Sequence, residues 1–147
     1  MLVGILQNSE LMKNRKILYV SSEVVPYLPE SEISSMSFEI PKMVNKQGGQ
    51  IRIFMPRYGN INERRHQLHE VIRLSGLNLV INDLDMPLII KVASIPKERI
   101  QVYFIDNEEY FKRKATLRDT DNKLFEDNDE RAIFFAKGVF ETIKRLN

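Results

Sequence analysis

The chain of 147 residues contains no cysteine and no long apolar run, and each absence excludes a class of protein. Without cysteine it cannot form disulfides, thiolate metal sites or a cysteine nucleophile, which fits a reducing compartment. No stretch approaches the roughly 18 consecutive apolar residues that a membrane-spanning helix needs. The opening MLVGIL is too short for a signal-peptide core and has no basic residue before it. The sequence therefore predicts a cytoplasmic protein that does not enter a membrane.

An excess of charge of one sign is also missing. The chain has 22 Lys and Arg against 20 Asp and Glu, a formal net charge of +2, and the two signs are interleaved. This balance gives no electrostatic footprint for nucleic acid. Histidine is limited to His66 and His69, which we interpret as a surface pair because no third ligand with metal-binding spacing accompanies them. We therefore expect no nucleic-acid partner, no metal site and no cofactor.

Apolar strands and amphipathic helices alternate along the chain. Residues 16–21, KILYVS, have consecutive apolar side chains and predict a buried, central parallel strand, and residues 51–55, IRIFM, predict the next strand. The helix between them is expected to be capped by Ser34 or Ser35 and kinked at Pro41. Its apolar face is predicted to consist of Met36, Ile40, Met43 and Val44.

The second half adds a different pattern. Residues 68–95 form short β-rich pieces broken at Ser75-Gly76 and Asn82-Asp83, which predicts an insertion of antiparallel strands. Residues 100–106 resume the buried-strand pattern, and a helix is predicted over residues 127–146. The two apolar stripes of this helix are Ile133, Ala136, Phe140 and Ile143, and Ala132, Phe135, Val139 and Leu146.

This order of elements predicts an α/β fold: a doubly wound, mostly parallel, Rossmann-like sheet with a small antiparallel β insertion. Residues 1–14 are interpreted as a leader, mobile in solution, and residues 15–147 as one domain. A further strand is expected after the last helix, so we interpret the chain as a fragment of a longer polypeptide.

Four segments carry a resemblance to a known family: KILYVSSEVVPY (16–27), IPKMVNKQGGQIRIFMPRYGNI (40–61), VYFIDNEEYFKR (102–113) and LFEDNDERAIFFAKGVFE (124–141). In this order they resemble the N-terminal domain of bacterial glycogen synthases and plant starch synthases. The resemblance implies one half of a two-domain GT-B glycosyltransferase, completed by a C-terminal Rossmann-like domain of the same polypeptide. It also implies metal-free, retaining transfer of glucose from ADP-glucose to the non-reducing end of an α-1,4-glucan.

The family's phosphate-binding loop has diverged in this chain. Family members carry Lys-x-Gly-Gly, in which glycines let backbone N–H groups approach a diphosphate and lysine adds a positive charge. Here Pro29, Glu30, Ser31 and Glu32 occupy those four positions. Because each change disfavours an anion, the hypothesis is that this degenerate donor loop survives as a connector and that the usual grip on ADP-glucose is lost.

Other positions that match the family are candidate substrate-binding residues. Ser22 and Glu23 match the segment before the loop, where shaping the strand exit is as good an explanation as binding. Arg57 and Tyr58 match a Pro-Arg-Tyr segment after the second strand. An arginine at the carboxyl end of a strand can face a ligand, but a structural ion pair explains it at least as well.

The last match is an Asp-Asn-x-x-Arg element formed by Asp127, Asn128 and Arg131. For Asp127 or Asn128, a helix cap is favoured over a substrate role. Phe111 lies near a position where the bacterial enzymes often have tyrosine, so a hydroxyl that contacts sugar is expected to be missing. No residue of the chain is assigned a catalytic role.

Two functions remain open at this point. The first is a glycogen or starch synthase-like domain whose transfer activity is impaired, and which is inactive as the isolated fragment. The second is a non-catalytic, synthase-like module that binds glucan or a partner protein. A flavodoxin-like or signalling α/β domain is a weaker third reading, because neither an acidic cluster at the strand ends nor a flavin-phosphate loop is visible.

Overall fold

The computed structural model describes residues 11–146, so that most of the predicted leader and Asn147 lie outside the described residues. By their contacts, the described residues form two compact units. The first unit comprises residues 11–55 with Ala93–Tyr103, and the second comprises Pro56–Val92 with residues 104–146. No helix in the described part is long and apolar enough to cross a membrane.

The elements follow the predicted alternation. The strands are β1 (Lys16–Val20), β2 (Gln50–Pro56), β3 (His69–Glu70), β4 (Asn78–Ile81), β5 (Leu84–Pro87), β6 (Ile89–Ser94) and β7 (Gln101–Asp106). The helices are α1 (Glu32–Lys46), α2 (Glu108–Phe111) and α3 (Asn128–Arg145), and Ile72–Leu74 is a 3-10 turn. The larger sheet has the order β1-β2-β7-β6-β3, and β4 and β5 form a separate hairpin. The α/β fold class with a mostly parallel sheet is confirmed.

The first unit contains the predicted strand, helix and strand. β1 and β2 pair in parallel, with Lys16 opposite Gln50 and Val20 opposite Phe54. The prediction of a buried central strand at β1 is wrong for the described residues, because β1 lies at one end of the strand order and has β2 as its neighbour there. Leu18 and Val20 are 43% and 48% exposed, so this strand is also not fully buried.

Helix α1 begins earlier than predicted because Ser31, not Ser34 or Ser35, is its N-cap. The Ser31 hydroxyl accepts the backbone N–H of Ser34 at 3.1 Å, and the Ser34 hydroxyl accepts the backbone N–H of Ser31 at 2.7 Å. This reciprocal pair is a capping box in which serine replaces the usual glutamate. Pro41 lies inside the helix and is buried. A kink at Pro41 stays a prediction.

The face that α1 buries is also not the predicted one. Its buried side chains are Ser34, Ser37 and Pro41. The Ser37 hydroxyl lies 2.7 Å from the Ser21 hydroxyl, a hydrogen bond that a larger apolar residue could not make. The predicted apolar face points outward, with its members Met36, Ile40 and Met43 exposed. Small polar residues therefore decide which side of α1 packs.

Helix α3 shows the same reversal in the second unit. Its buried residues are Arg131, Phe134, Gly138, Val139 and Thr142, of which only Val139 belongs to the predicted stripes. A Cβ atom at Gly138 would lie 2.6 Å from Ile105 Cγ2, so the helix backbone approaches β7 at a residue without a side chain. Three members of the predicted stripes, Ile133, Phe140 and Ile143, are exposed instead.

The antiparallel strands predicted in the middle of the chain are present. β4 and β5 pair with Ile81 opposite Leu84, and β3 pairs with β6 in antiparallel orientation. Asn82 and Asp83 form the predicted turn with φ values of 50° and 63°, which matches the two-residue type I′ hairpin. Leu88, between β5 and β6, and Ile90 of β6 belong to the second unit and are fully buried.

Candidate functional site

The candidate residue Arg57 lies at the exit of strand β2, next to the end of β7. Arg57 directly follows β2, and its backbone N–H donates to Ile105 O at 2.9 Å. This bond places its side chain beside Asp106, the last residue of β7, and Arg57 Nη2 lies 2.9 Å from Asp106 Oδ1. Asp106 is only 1% exposed. The ion-pair alternative for Arg57 is therefore present in the structure.

A lysine and a second carboxylate complete this cluster. Lys91 Nζ, from β6, lies 2.9 Å from Asp106 Oδ2 and donates a short hydrogen bond to Glu63. Burial alone would lower the pKa of Lys91, but its hydrogen bonds to Glu63 and Asp106 outweigh burial and raise that pKa. Lys91 therefore stays charged throughout the neutral range.

Around the degenerate loop, the candidate residues of the first unit contact one another. The Ser31 hydroxyl donates to Glu23 Oε2 at 3.0 Å, so Glu23 is a partner of the α1 cap. The Ser34 hydroxyl donates to Pro29 O at 2.9 Å and fixes the chain entering the helix. Ser22, Glu30 and Glu32 are exposed beside this cap. The structure thus supports the interpretation that Glu23 helps to shape the exit from β1.

The prediction of a helix cap at Asp127 is confirmed in position, although no side-chain capping hydrogen bond accompanies it. Asp127 occupies the N-cap position of α3, but its carboxylate makes no capping hydrogen bond. It instead accepts two hydrogen bonds of 2.6 Å from Arg113, one at each oxygen. This bidentate pair holds the pKa of Asp127 below its ordinary value, with burial acting in the opposite direction. Asn128 is the first residue of the helix and not its cap, and its amide donates to Leu117 O at 3.0 Å.

Arg131 is buried beneath the segment that joins α2 to α3. It is 3% exposed, and its Nε donates to Tyr110 O at 2.9 Å. Its Nη1 donates to Thr116 O at 2.7 Å and to Asn128 Oδ1 at 2.8 Å. The guanidinium carbon lies between 5.1 and 5.7 Å from the ring centres of Tyr58, Phe111 and Phe125. These hydrogen bonds and ring contacts indicate that Arg131 holds the segment between α2 and α3 in place.

Tyr58 and Phe111 belong to the same aromatic cluster. Their ring centres are 5.9 Å apart in an edge-to-face arrangement, and both rings are buried. Gly59 follows at once, and a Cβ atom there would lie 2.1 Å from Arg113 O. The loop after β2 consequently contacts the backbone of the loop after α2.

The structure gathers Arg57, Tyr58, Asp127, Asn128 and Arg131 in the second unit, and Ser22 and Glu23 with the degenerate loop in the first. Sequence reasoning missed four charged residues that pair with or lie beside these candidates, namely Glu63, Lys91, Asp106 and Arg113. Asp106 carried a usable signal, because a carboxylate that ends an otherwise apolar strand needs a buried cation.

The two histidines do not form a site. His66 is half-buried, and burial followed by the charge of Arg65 lowers its pKa. His69 is exposed on β3. Within residues 11–146, no group of three or more His, Asp or Glu side chains is arranged to hold a metal ion. Whether the candidate residues bind substrate stays a prediction.

Parallel strands linked by a helix, with charged residues gathered where β2 and β7 end, define an α/β domain of the Rossmann-like class. Comparison with known proteins refines this class. The chain belongs to the starch synthase catalytic domain family, whose pattern it matches over residues 16–147. It is a glycogen/starch synthase-like domain, as the resemblance implied.

Several relatives have similar sequences. The glycogen synthase of Chlorobium limicola is 41% identical over 135 residues, a region that covers 91% of this chain and 28% of that enzyme. The glycogen synthase of Chlorobaculum tepidum is 41% identical over 138 residues with the same coverage. The chain therefore spans little more than a quarter of the length of these relatives.

A solved structure supports the fold. The catalytic domain of starch synthase IV from Arabidopsis thaliana, bound to ADP and acarbose, superposes with a TM-score of 0.72 at 14% sequence identity. The match covers 90% of this chain and 26% of that one. The GT-B type of architecture expected from the resemblance agrees with this likeness.

Proposed function

We propose that this chain is the N-terminal domain of a glucosyltransferase that extends an α-1,4-glucan from ADP-glucose. Family membership over residues 16–147 supports the proposal, as does a structural relative whose ligands are ADP and acarbose. A C-terminal Rossmann-like domain of the same polypeptide would complete the active site, which agrees with the 28% coverage of the relatives. The isolated 147-residue chain is then expected to be inactive. The cytoplasm is its expected location.

We further propose that its grip on the donor diphosphate is impaired. The observation that carries this step is the start of α1, where the Ser31 hydroxyl and the Ser34 hydroxyl satisfy each other's backbone N–H groups. Such groups are the donors that bind phosphate in glycine-rich loops. The Ser31 hydroxyl is also committed to the carboxylate of Glu23, and the flanking Glu30 and Glu32 add negative charge. A diphosphate at this position would find the two backbone N–H donors already bonded, and the nearby carboxylates would repel it.

The electrostatic penalty can be bounded. Two unit charges about 4 Å apart interact by roughly 4 kcal/mol at an effective dielectric constant of about 20. Replacing a lysine by neutral Pro29 removes an attraction of this kind, and Glu32 in place of glycine introduces a repulsion. If solvent screening and side-chain rearrangement leave only about a quarter of the combined effect, about 2 kcal/mol remains, which corresponds to a loss of roughly thirtyfold in affinity.

A chimaera that carries this domain in place of the corresponding domain of an active relative tests this proposal. Residues 16–147 replace the aligned segment of the Chlorobium limicola glycogen synthase, and transfer of labelled glucose from ADP-glucose to glycogen is measured. The chimaera should be slower than the parent enzyme by about thirtyfold or more. Restoring the family pattern with Pro29→Lys, Ser31→Gly and Glu32→Gly should recover about tenfold or more of the rate.

Asp121→Lys is the matched control, since it changes the net charge by the same amount at an exposed residue of another loop. It should leave the rate of the chimaera unchanged. A chimaera with the natural Pro29–Glu32 loop that transfers glucose as fast as the parent enzyme would contradict the impaired grip.

The second candidate function is a non-catalytic module that binds glucan or a partner protein. The same degenerate loop favours it, because a scaffold that no longer binds the donor can keep its other contacts. Sedimentation of the 147-residue chain with glycogen separates the two candidates when it is combined with the chimaera. Glycogen binding together with a chimaera that the restored loop does not rescue would favour the module.

A further inference from the structure

A buried cluster of charges in the second unit is not explained by the proposed function. Asp106 is 1% exposed and lies between two cations, with Arg57 Nη2 2.9 Å from Oδ1 and Lys91 Nζ 2.9 Å from Oδ2. Two positive charges thus meet one buried negative charge. A buried cluster with one cation in excess is costly unless a further anion approaches it.

Glu63 supplies that anion in the structure. Its Oε1 accepts the hydrogen bond from Lys91 Nζ and lies 3.8 Å from Arg57 Nε. Glu63 is the most exposed member of the cluster, with 38% of its side chain accessible, against 19% for Lys91 and 13% for Arg57. The cations are therefore fixed in the protein, and their outer anion lies toward solvent.

The fit between Glu63 and the two cations is incomplete. Arg57 Nε is buried and has no hydrogen-bond acceptor among the described residues, because Glu63 Oε1 stops 3.8 Å away. An unpaired buried N–H group costs about 1–3 kcal/mol. Glu63 Oε1 accepts a hydrogen bond from Lys91 Nζ but none from Arg57 Nε. A ligand with more than one acceptor oxygen could accept from both nitrogens at once.

The segment that carries Glu63 is a turn held by its own backbone hydrogen bonds. It belongs to no helix or strand, and backbone hydrogen bonds from His66 to Asn62 and from Leu68 to Glu63 close it on itself. The Asn62 side chain also accepts the backbone N–H of Arg65 at 2.9 Å. The carboxylate of Glu63 can therefore leave the cations without breaking the sheet.

From these contacts we propose that Arg57 and Lys91 form a binding site for a phosphate group, and that Glu63 occupies this site as an internal competitor. A phosphate carries more negative charge than a carboxylate and has three or four acceptor oxygens, so that it would satisfy Arg57 Nε as well as Lys91. Its binding would displace the Glu63 carboxylate, so that the turn over residues 61–68 is held by its own hydrogen bonds and no longer also by the cations. The site is formed by the second unit alone and is independent of the degenerate loop.

Calorimetry on the 147-residue chain with inorganic phosphate, and separately with ADP, tests the site. Glu63→Gln keeps the shape of the side chain and removes the competing charge, so phosphate should bind about tenfold more tightly or better than to the natural chain. Glu126→Gln removes a carboxylate that is exposed and lies outside the cluster, and should change nothing. Adding Lys91→Met to Glu63→Gln should abolish the gain.

The outcomes separate the possibilities. Equal phosphate affinity for the natural chain and Glu63→Gln would overturn the proposal, and so would tight binding that survives Lys91→Met, which would mean an adventitious ion only. Tighter binding of ADP than of inorganic phosphate would assign the site to a phosphate that is part of a nucleotide, and the reverse order would assign it to the free anion.

A second measurement needs no variant. Hydrogen exchange of the amides of residues 61–68 in the natural chain should accelerate about tenfold when phosphate saturates the site, because Glu63 no longer anchors the turn. Unchanged or slower exchange would overturn the proposal. Both readouts are independent of glucosyl transfer, so their failure is distinguishable from failure of the proposed function.

Discussion

Replacement of Arg131 by methionine should destabilise the domain more than any other single change at the candidate site. The guanidinium is 3% exposed and donates three hydrogen bonds of 2.7–2.9 Å, to Tyr110 O, Thr116 O and Asn128 Oδ1. Methionine fills much of the same volume but donates none of these bonds. The two carbonyl groups and the Asn128 side chain would then lose a charged donor together.

The size of the effect follows from these contacts. A hydrogen bond to a charged group contributes about 1.5–3 kcal/mol, and contributions within one network do not simply add. We therefore expect Arg131→Met to lower the free energy of unfolding by about 4 kcal/mol, in the range found when one partner of a buried charged network is removed. For a domain of this size that corresponds to a fall in Tm of roughly 10 °C.

Urea unfolding followed by circular dichroism measures this change. Lys137→Met is the matched control on the same helix, because Lys137 is exposed and donates a single hydrogen bond to Val80 O at 3.0 Å. It should cost about 0.5 kcal/mol or less. Arg131→Lys should recover only part of the loss, since an ammonium group lacks the planar fork that reaches separate acceptors. A loss below about 1 kcal/mol for Arg131→Met would refute the reasoning.

Three further predictions concern the pairs and close contacts around the site. Arg113→Gln should remove the hydrogen bonds that depress the pKa of Asp127, so the stability difference from the natural chain should be full at neutral pH, begin to shrink as the pH falls through about 4, and vanish only below the lowered pKa of Asp127 in the folded natural chain, where the carboxyl is protonated in both states. The free energy of unfolding of both chains, measured from neutral to acid pH, checks this prediction. A stability difference that does not change with pH would contradict it. Gly59→Ala should cost about 1–3 kcal/mol, because the new Cβ meets backbone atoms of Lys112 and Arg113. Gly138→Ala should cost less in the same assay, because the new Cβ meets methyl groups of Ile105 and Leu88 instead of backbone atoms and alanine favours the helix; the reverse order would show that the close backbone contact is misjudged. Ser31→Ala should cost about 1 kcal/mol and Ser31→Gly only a few tenths, as measured by thermal unfolding; equal costs would argue against the capping box.

The strands and helices of this chain were predictable because each carries a strong local signal. The apolar runs around Ile53 and Phe104 and the Asn82-Asp83 turn appear in the structure where the sequence indicates. Burial was less predictable. A run such as that of β1 indicates a strand, but it does not say where in the sheet the strand lies, and β1 is at one end of the strand order with Leu18 exposed.

The faces of the helices were mispredicted for a second physical reason. Hydrophobicity favoured Met36 on α1 and Phe140 on α3, whereas close approach to a sheet selected Ser37 and Gly138. The periodicity of apolar residues takes no account of side-chain size. It therefore predicts the wrong buried face for a helix that packs through small residues.

The candidate site shows what pairing adds to a motif. The Asp-Asn-x-x-Arg element was recognisable as a family match, but the partners of its residues lie elsewhere in the chain. Asp127 pairs with Arg113, and Arg131 holds the backbone of Thr116. Such partners are fixed by the tertiary fold, and no local rule connects them.

Transfer of labelled glucose to glycogen by the polypeptide that carries this chain in the cell is the most direct test of the account, with ADP-glucose and UDP-glucose compared in parallel. The account predicts incorporation from ADP-glucose at least about thirtyfold below that of the Chlorobium limicola enzyme, because the loop Pro29–Glu32 no longer attracts the diphosphate. Incorporation at a rate equal to that of the Chlorobium limicola enzyme would contradict it, and would mean that a different group holds the donor phosphate.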